Sequence, residues 1–111
     1  MTGQDLYTQL HEARVMAHKA IEQFVPTTKA RAEAECAYWT QLDMRETEAR
    51  ADGVPATIAR DRARADKRVQ EAYVRFRCAE ALEEATRQQH MMHKKDADIL
   101  NGMAAREWSV Q

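Results

Sequence analysis

Glycine occurs three times and proline twice in 111 residues, and both are absent from positions 27–52 and 56–101. Without these punctuators a chain has few ways to make the short turns of an all-β sandwich or barrel. Valine, isoleucine and threonine are also sparse, whereas alanine fills twenty positions beside many Glu, Arg and Gln residues, all good helix formers. Only seven residues are aromatic, so any core built here is thin. No apolar run approaches the roughly 18 residues that a membrane span requires. The two cysteines, Cys36 and Cys78, form no Cys-x-x-Cys motif, and the N-terminus Met1-Thr2-Gly3-Gln4-Asp5 lacks the basic and apolar regions of a signal peptide. The expectation is a soluble cytoplasmic protein with reduced thiols. A net charge of −1 excludes both a polyanionic DNA mimic and an overall polycation.

What is present is helical periodicity. Leu6, Leu10, Ala13, Ala17, Ile21 and Phe24 recur at steps of three and four and define one amphipathic face. Thr2 and Asp5 resemble a capping box at its start. Pro26 then interrupts, because proline lacks the amide proton and crowds the preceding turn, at about 3 kcal/mol inside a helix. A kink preserves one arm, whereas a break with Pro26 at a new first position permits a three-helix bundle. The kink is preferred, since no glycine or loop follows. Lys29 to Ala51 continues with Ala30, Ala34, Ala37, Tyr38, Leu42 and Met44 near one face. Asp52-Gly53-Val54-Pro55 reads as helix stop, turn and helix start.

The second arm carries Ile58, Ala65, Val69, Ala72 and Phe76. A heptad-like seam of Cys78, Leu82, Ala85, Gln89, Met92, Asp96, Ile99 and Met103 follows. Asn101-Gly102 is read as its stop. The expected fold is therefore a single all-α domain, a long antiparallel helical hairpin. Arm one covers about 3–52, kinked or broken near Pro26; the turn is 52–55, arm two about 55–101 and a C-terminal tail 102–111. Forty-six residues without a breaker would make a rod of roughly 70 Å. Two such rods leave apolar surface uncovered, and Tyr38, Trp39, Tyr73, Phe76 and Leu82 cannot all face an alanine-rich neighbour. Pairing of two copies into a four-helix bundle covers it, so a homodimer is expected.

Arg60, Arg64, Lys67, Arg68 and Arg75 fall on neighbouring turns and are the candidate contacts to nucleic acid or an acidic partner. Asp61, Asp66 and Glu71 interleave with them, and a solvated face opposed by Glu33, Glu46 or Glu48 is the competing reading. A hairpin centred on Gly53–Val54 sets His18 opposite His90 and His11 near Asp96, with His93 on the His90 face. Three histidines could meet a zinc ion, but no Cys or Glu completes the set, and they are read as polar-face residues. The same register leaves Cys36 and Cys78 about two turns apart, too far for a bridge, and they are read as buried apolar side chains. A cysteine nucleophile would also need a base and a pocket, which a helical rod does not offer. Trp108 either folds back over the bundle end or is presented as a partner hook. No enzyme activity, cofactor or metal is expected.

Ala34-Glu35-Cys36-Ala37-Tyr38, the Gly53 turn followed by Arg60 to Lys67, and the ending Gly102-Met103-Ala104-Ala105-Arg106-Glu107-Trp108-Ser109 together resemble a family of short α-helical proteins of bacteriophages and prophages. The likeness extends over nearly the whole chain and is most specific in the Arg-Glu-Trp-Ser ending. It implies a coiled helical hairpin with no assigned catalytic activity, of a kind that tends to be associated with phage genes for recombination or replication. Pro26 departs from that family's unbroken first arm. Two roles follow: binding a protein of phage or host, with occlusion of a host defence nuclease as one form, or an accessory role on nucleic acid.

Overall fold

The computed structural model describes residues 3–110, so Thr2 of the expected capping box lies outside them. Three helices and no strand are found among the described residues: α1 (Gly3–Ala51), α2 (Ala56–Arg64) and α3 (Lys67–Val110). They contribute to two compact units, Met1–Pro26 with Glu84–Gln111 (the terminal unit) and Thr27–Glu83 (the central unit).

Pro26 lies inside α1, which does not break there. The corner after α1 follows the sequence closely. Gly53 takes φ 91°, the Val54 amide donates to the Ala49 carbonyl at 3.0 Å and the Gly53 amide to the Arg50 carbonyl at 3.1 Å. This is the paired closure of a Schellman motif, with a glycine where a left-handed residue is required. Pro55 caps α2, its carbonyl accepting from the Ile58 and Ala59 amides.

The second arm departs from the expected unbroken rod in two places. It is interrupted at Ala65–Asp66, between α2 and α3. Asp66 Oδ1 accepts the Arg68 amide at 2.8 Å and the Arg68 Nε at 3.1 Å, so Asp66 is the N-cap of α3. Capping by a side chain satisfies the amides that a break exposes, and a helix can stop and restart there without glycine or proline. At the other end the expected stop does not occur. α3 runs through Asn101 and Gly102 to Val110, held to α1 by buried Ala104 against Leu6 and Leu10 and by an Arg14–Asn101 hydrogen bond of 3.2 Å.

The terminal unit pairs α1 with α3, and the central unit sets α1 against α2 and the first part of α3, each unit with its own small core. In the terminal unit Leu6, Leu10 and Ala104 are buried, with Leu100 against them. In the central unit Leu42, Ala63 and Val69 are buried, with Tyr38 against them. The inward face of α1 matches the expected stripe at Leu6, Leu10, Ala13, Ala17 and Phe24, but Ala20 is buried where Ile21 was expected, and Ile21 is exposed. In the second arm Ala59 and Ala63 replace Ile58 and Ala65 as the buried positions.

The phase of α3 differs more. Thr86, His90, His93, Ala97, Leu100 and Ala104 are buried or half-buried, whereas every member of the expected seam from Cys78 to Met103 is exposed. The two stripes are one residue apart, which on a helix is a rotation of about 100°. The heptad pattern is real, but it is not the surface that meets α1.

Candidate interaction surfaces

In the central unit α1 sets Tyr38 half-buried between the arms, its ring 5.4 Å from Tyr73, 6.0 Å from Phe76 and 5.1 Å from Trp39. Such tilted and stacked spacings are favourable for aromatic quadrupoles. Tyr38 and Phe76 fill the space between arms, and Trp39 and Tyr73 are left substantially exposed at its edge. Arg60 of α2 stands over the Trp39 ring at 5.9 Å and is held by Glu46 at 2.8 Å and Asp43 at 3.5 Å. Beside this cluster an open, mainly apolar groove of about 560 Å³ is lined by Tyr38, Arg64, Val69, Gln70, Tyr73 and Val74. Exposed Trp and Tyr framed by Arg are the side chains that most often anchor protein interfaces.

The five candidate cations are divided between two helices by the interruption at Asp66. Arg60 and Arg64 lie on α2, and Lys67, Arg68 and Arg75 on α3. Arg64 pairs with Asp61 at 3.3 Å, Lys67 approaches Glu71 at 3.9 Å, and Arg68 meets Asp66 at 2.9 Å and Glu48 at 3.7 Å. Glu46 and Glu48, named from sequence as opposing acids, do take Arg60 and Arg68. The Arg68 hydrogen bonds hold the Asp66 carboxyl down to about 2 and raise the Arg68 guanidinium above its ordinary value. Arg75 has no ion pair among the described residues and shares a shallow groove with Lys67, Gln70, Glu71 and Val74.

The corner holds a polar cleft of about 360 Å³ between Arg45, Glu48, Asp52, Arg62 and Asp66. Arg45 is only 9% exposed; its Nη1 bonds Glu48 at 2.8 Å while its Nε has no protein acceptor. Cations and carboxylates there largely neutralise one another. Farther along the arms Arg31 bridges Glu35 at 2.8 Å and Glu83 at 3.3 Å, and these hydrogen bonds, Glu35 first, raise its pKa.

The terminal unit offers a different surface. Met92 and Ile99 of α3 are more than half exposed, with Met103 beside them. Between α1 and α3 an open groove of about 490 Å³ includes Ala13, Met16, Ile99 and Leu100 with Glu12 and Asp96. Trp108 stays on the helix surface, 55% exposed, and does not fold over an end. The histidines do not assemble: with Arg14 opposite Asn101, the residue facing His18 lies about two turns beyond His90. His18 bonds Glu22 instead, at 3.1 Å. No group of three His, Cys, Asp or Glu residues suited to a metal ion occurs among the described residues.

Cys36 and Cys78 are free and exposed rather than buried. At about 100° per residue each lies on the far side of its helix from the inward Tyr38 and Phe76, which is why neither packs. No helix among the described residues is long and apolar enough to cross a membrane. No protein-family model, curated protein or solved structure matches the chain.

Proposed function

We propose that this is a non-enzymatic interaction protein that pairs with a second copy into a helical bundle and presents the Trp39–Tyr73 surface to a protein partner. The observation that supports it is the imbalance between core and surface. The buried apolar residues are Leu6, Leu10, Leu42, Val69 and five alanines, while Trp39, Tyr73, Val74, Met92, Ile99 and Trp108 are among the large apolar side chains left exposed. Occlusion of another protein, such as a host defence nuclease met by a phage-type protein, needs no pocket and suits this surface.

The alternative is an accessory role on nucleic acid, favoured by the outward Lys67 and Arg75. Capture from bacterial lysate with wild-type protein and with a Trp39→Ala/Tyr73→Ala variant tests the first reading, alongside a salt-dependent mobility shift of labelled DNA and RNA for the second. A protein retained by the wild type alone supports the partner surface. A shift that weakens with salt and is lost in Lys67→Glu/Arg75→Glu supports the alternative. Capture unaffected by the double alanine variant contradicts the assignment of the aromatic surface.

A further inference from the structure

We propose that α3 pairs with α3 of a second copy in antiparallel orientation, along Ala85, Gln89, Met92, Asp96, Ile99 and Met103, with the twofold axis between Met92 and Asp96. This rests on the self-association proposed above and names its contact and direction.

The six residues follow steps of four, three, four, three and four, and all are exposed. A repeat averaging 3.5 residues is what keeps a stripe against another helix over several turns. α1 is not that helix, because α3 already gives it Thr86, His90, His93, Leu100 and Ala104. The stripe therefore has a helical partner outside the chain's own fold. A second copy brings an identical stripe with the same four-three spacing.

Charge decides the direction. Asp96 lies in the seam between apolar Met92 and Ile99, and neither Asp96 nor Lys95 has an ion pair among the described residues. Parallel, in-register pairing would set Asp96 against Asp96 of the other copy, two like charges losing water together. It would also place each Lys95 beside Leu100 of the other copy, away from those carboxylates. The antiparallel arrangement sets Asp96 opposite Met92, Gln89 opposite Ile99 and Ala85 opposite Met103. The two Asp96 carboxylates are then about one turn apart along the seam instead of face to face, and the two Lys95 side chains meet at its solvent-facing edge, bringing compensating charge to the axis.

The test uses full-length protein with Cys36 and Cys78 replaced by serine, carrying either Gln89→Cys or Ile99→Cys. Both sites are exposed, so the fold should persist, as circular dichroism will verify. Sedimentation equilibrium gives the native mass, and mild oxidation followed by non-reducing electrophoresis gives the pairing. The expected result is a dimer in which each variant alone stays uncrosslinked while the mixture yields a covalent heterodimer. Covalent homodimers from each variant alone would overturn the antiparallel direction. A native dimer with no crosslink in any sample would place the contact elsewhere, leaving self-association intact. A monomer would remove both.

Discussion

Asp66 Oδ1 accepts the backbone amide of Arg68 at 2.8 Å, and Asp66 Oδ2 meets Nη2 of the same arginine at 2.9 Å. One residue thereby caps α3 and fixes the place where the second arm stops and restarts.

The Asp66 carboxyl lies at about 2 in the folded chain against 3.8 ordinarily. A carboxyl depressed on folding contributes stability that is present above the unfolded value and lost as pH falls through the folded one. Thermal unfolding followed between pH 5 and pH 2 should show a falling Tm in the wild type. Asp66→Asn, which can still cap, should flatten the Asp66 part of that fall, and Asp66→Ala should lower Tm at neutral pH.

Gly53 and Gly102 should respond to alanine with opposite signs. Gly53 holds φ +91°, where a side chain is strained whatever space surrounds it. Gly102 is helical, and an added Cβ there meets nothing within 4 Å. Gly102→Ala is expected to stabilise by about 0.5–1 kcal/mol and Gly53→Ala to destabilise by at least as much. Urea denaturation at constant protein concentration measures both. Destabilisation by Gly102→Ala would contradict a helix continuous through that position.

Leu42 is fully buried and Ile58 is 52% exposed. Leu42→Ala should therefore cost about 2–5 kcal/mol and leave the central unit largely unfolded, because that core holds few other large side chains. Ile58→Ala should change stability by no more than roughly 0.5 kcal/mol. Equal losses in calorimetry would mean that Ile58 is covered in solution.

Glu83 and Arg31 form a half-buried pair that also engages Glu35. Glu83→Gln is expected to lower Tm, and Arg31→Met with Glu83→Leu to recover much of the loss, since the two changes remove both charges together. A double-mutant cycle read by thermal unfolding checks this. Strictly additive losses would show that the pair does not couple the arms.

Much of this fold was legible in the sequence. The corner followed from Gly53, Val54 and Pro55 because each has a steric preference that holds in any context. The α1 face followed from Leu6, Leu10 and Phe24 because large apolar groups at helical spacing must share a side. The phase of α3 was not legible. Periodicity shows that Met92, Ile99 and Met103 lie together but not which helix they meet, and the inward stripe of Thr86, His90 and His93 carries little hydrophobic signal. The break at Asp66 had a signal, an N-cap residue with an arginine two positions on, but it stands among helix formers that mask it. Gly102 suggests a stop because glycine often follows a helix, whereas Ala104 packed on Leu6 and Leu10 carries α3 past it. The aromatic cluster was visible as separate residues, and only the fold brings Tyr38, Trp39 and Tyr73 to one edge beside Arg60.

Sedimentation equilibrium across a range of concentrations, paired with thermal unfolding of the same samples, tests most directly whether another copy covers the exposed apolar surface. The expected result is a species of twice 12.8 kDa whose Tm rises with protein concentration, as linkage of folding to association requires. A 12.8 kDa species with a cooperative transition independent of concentration would contradict it.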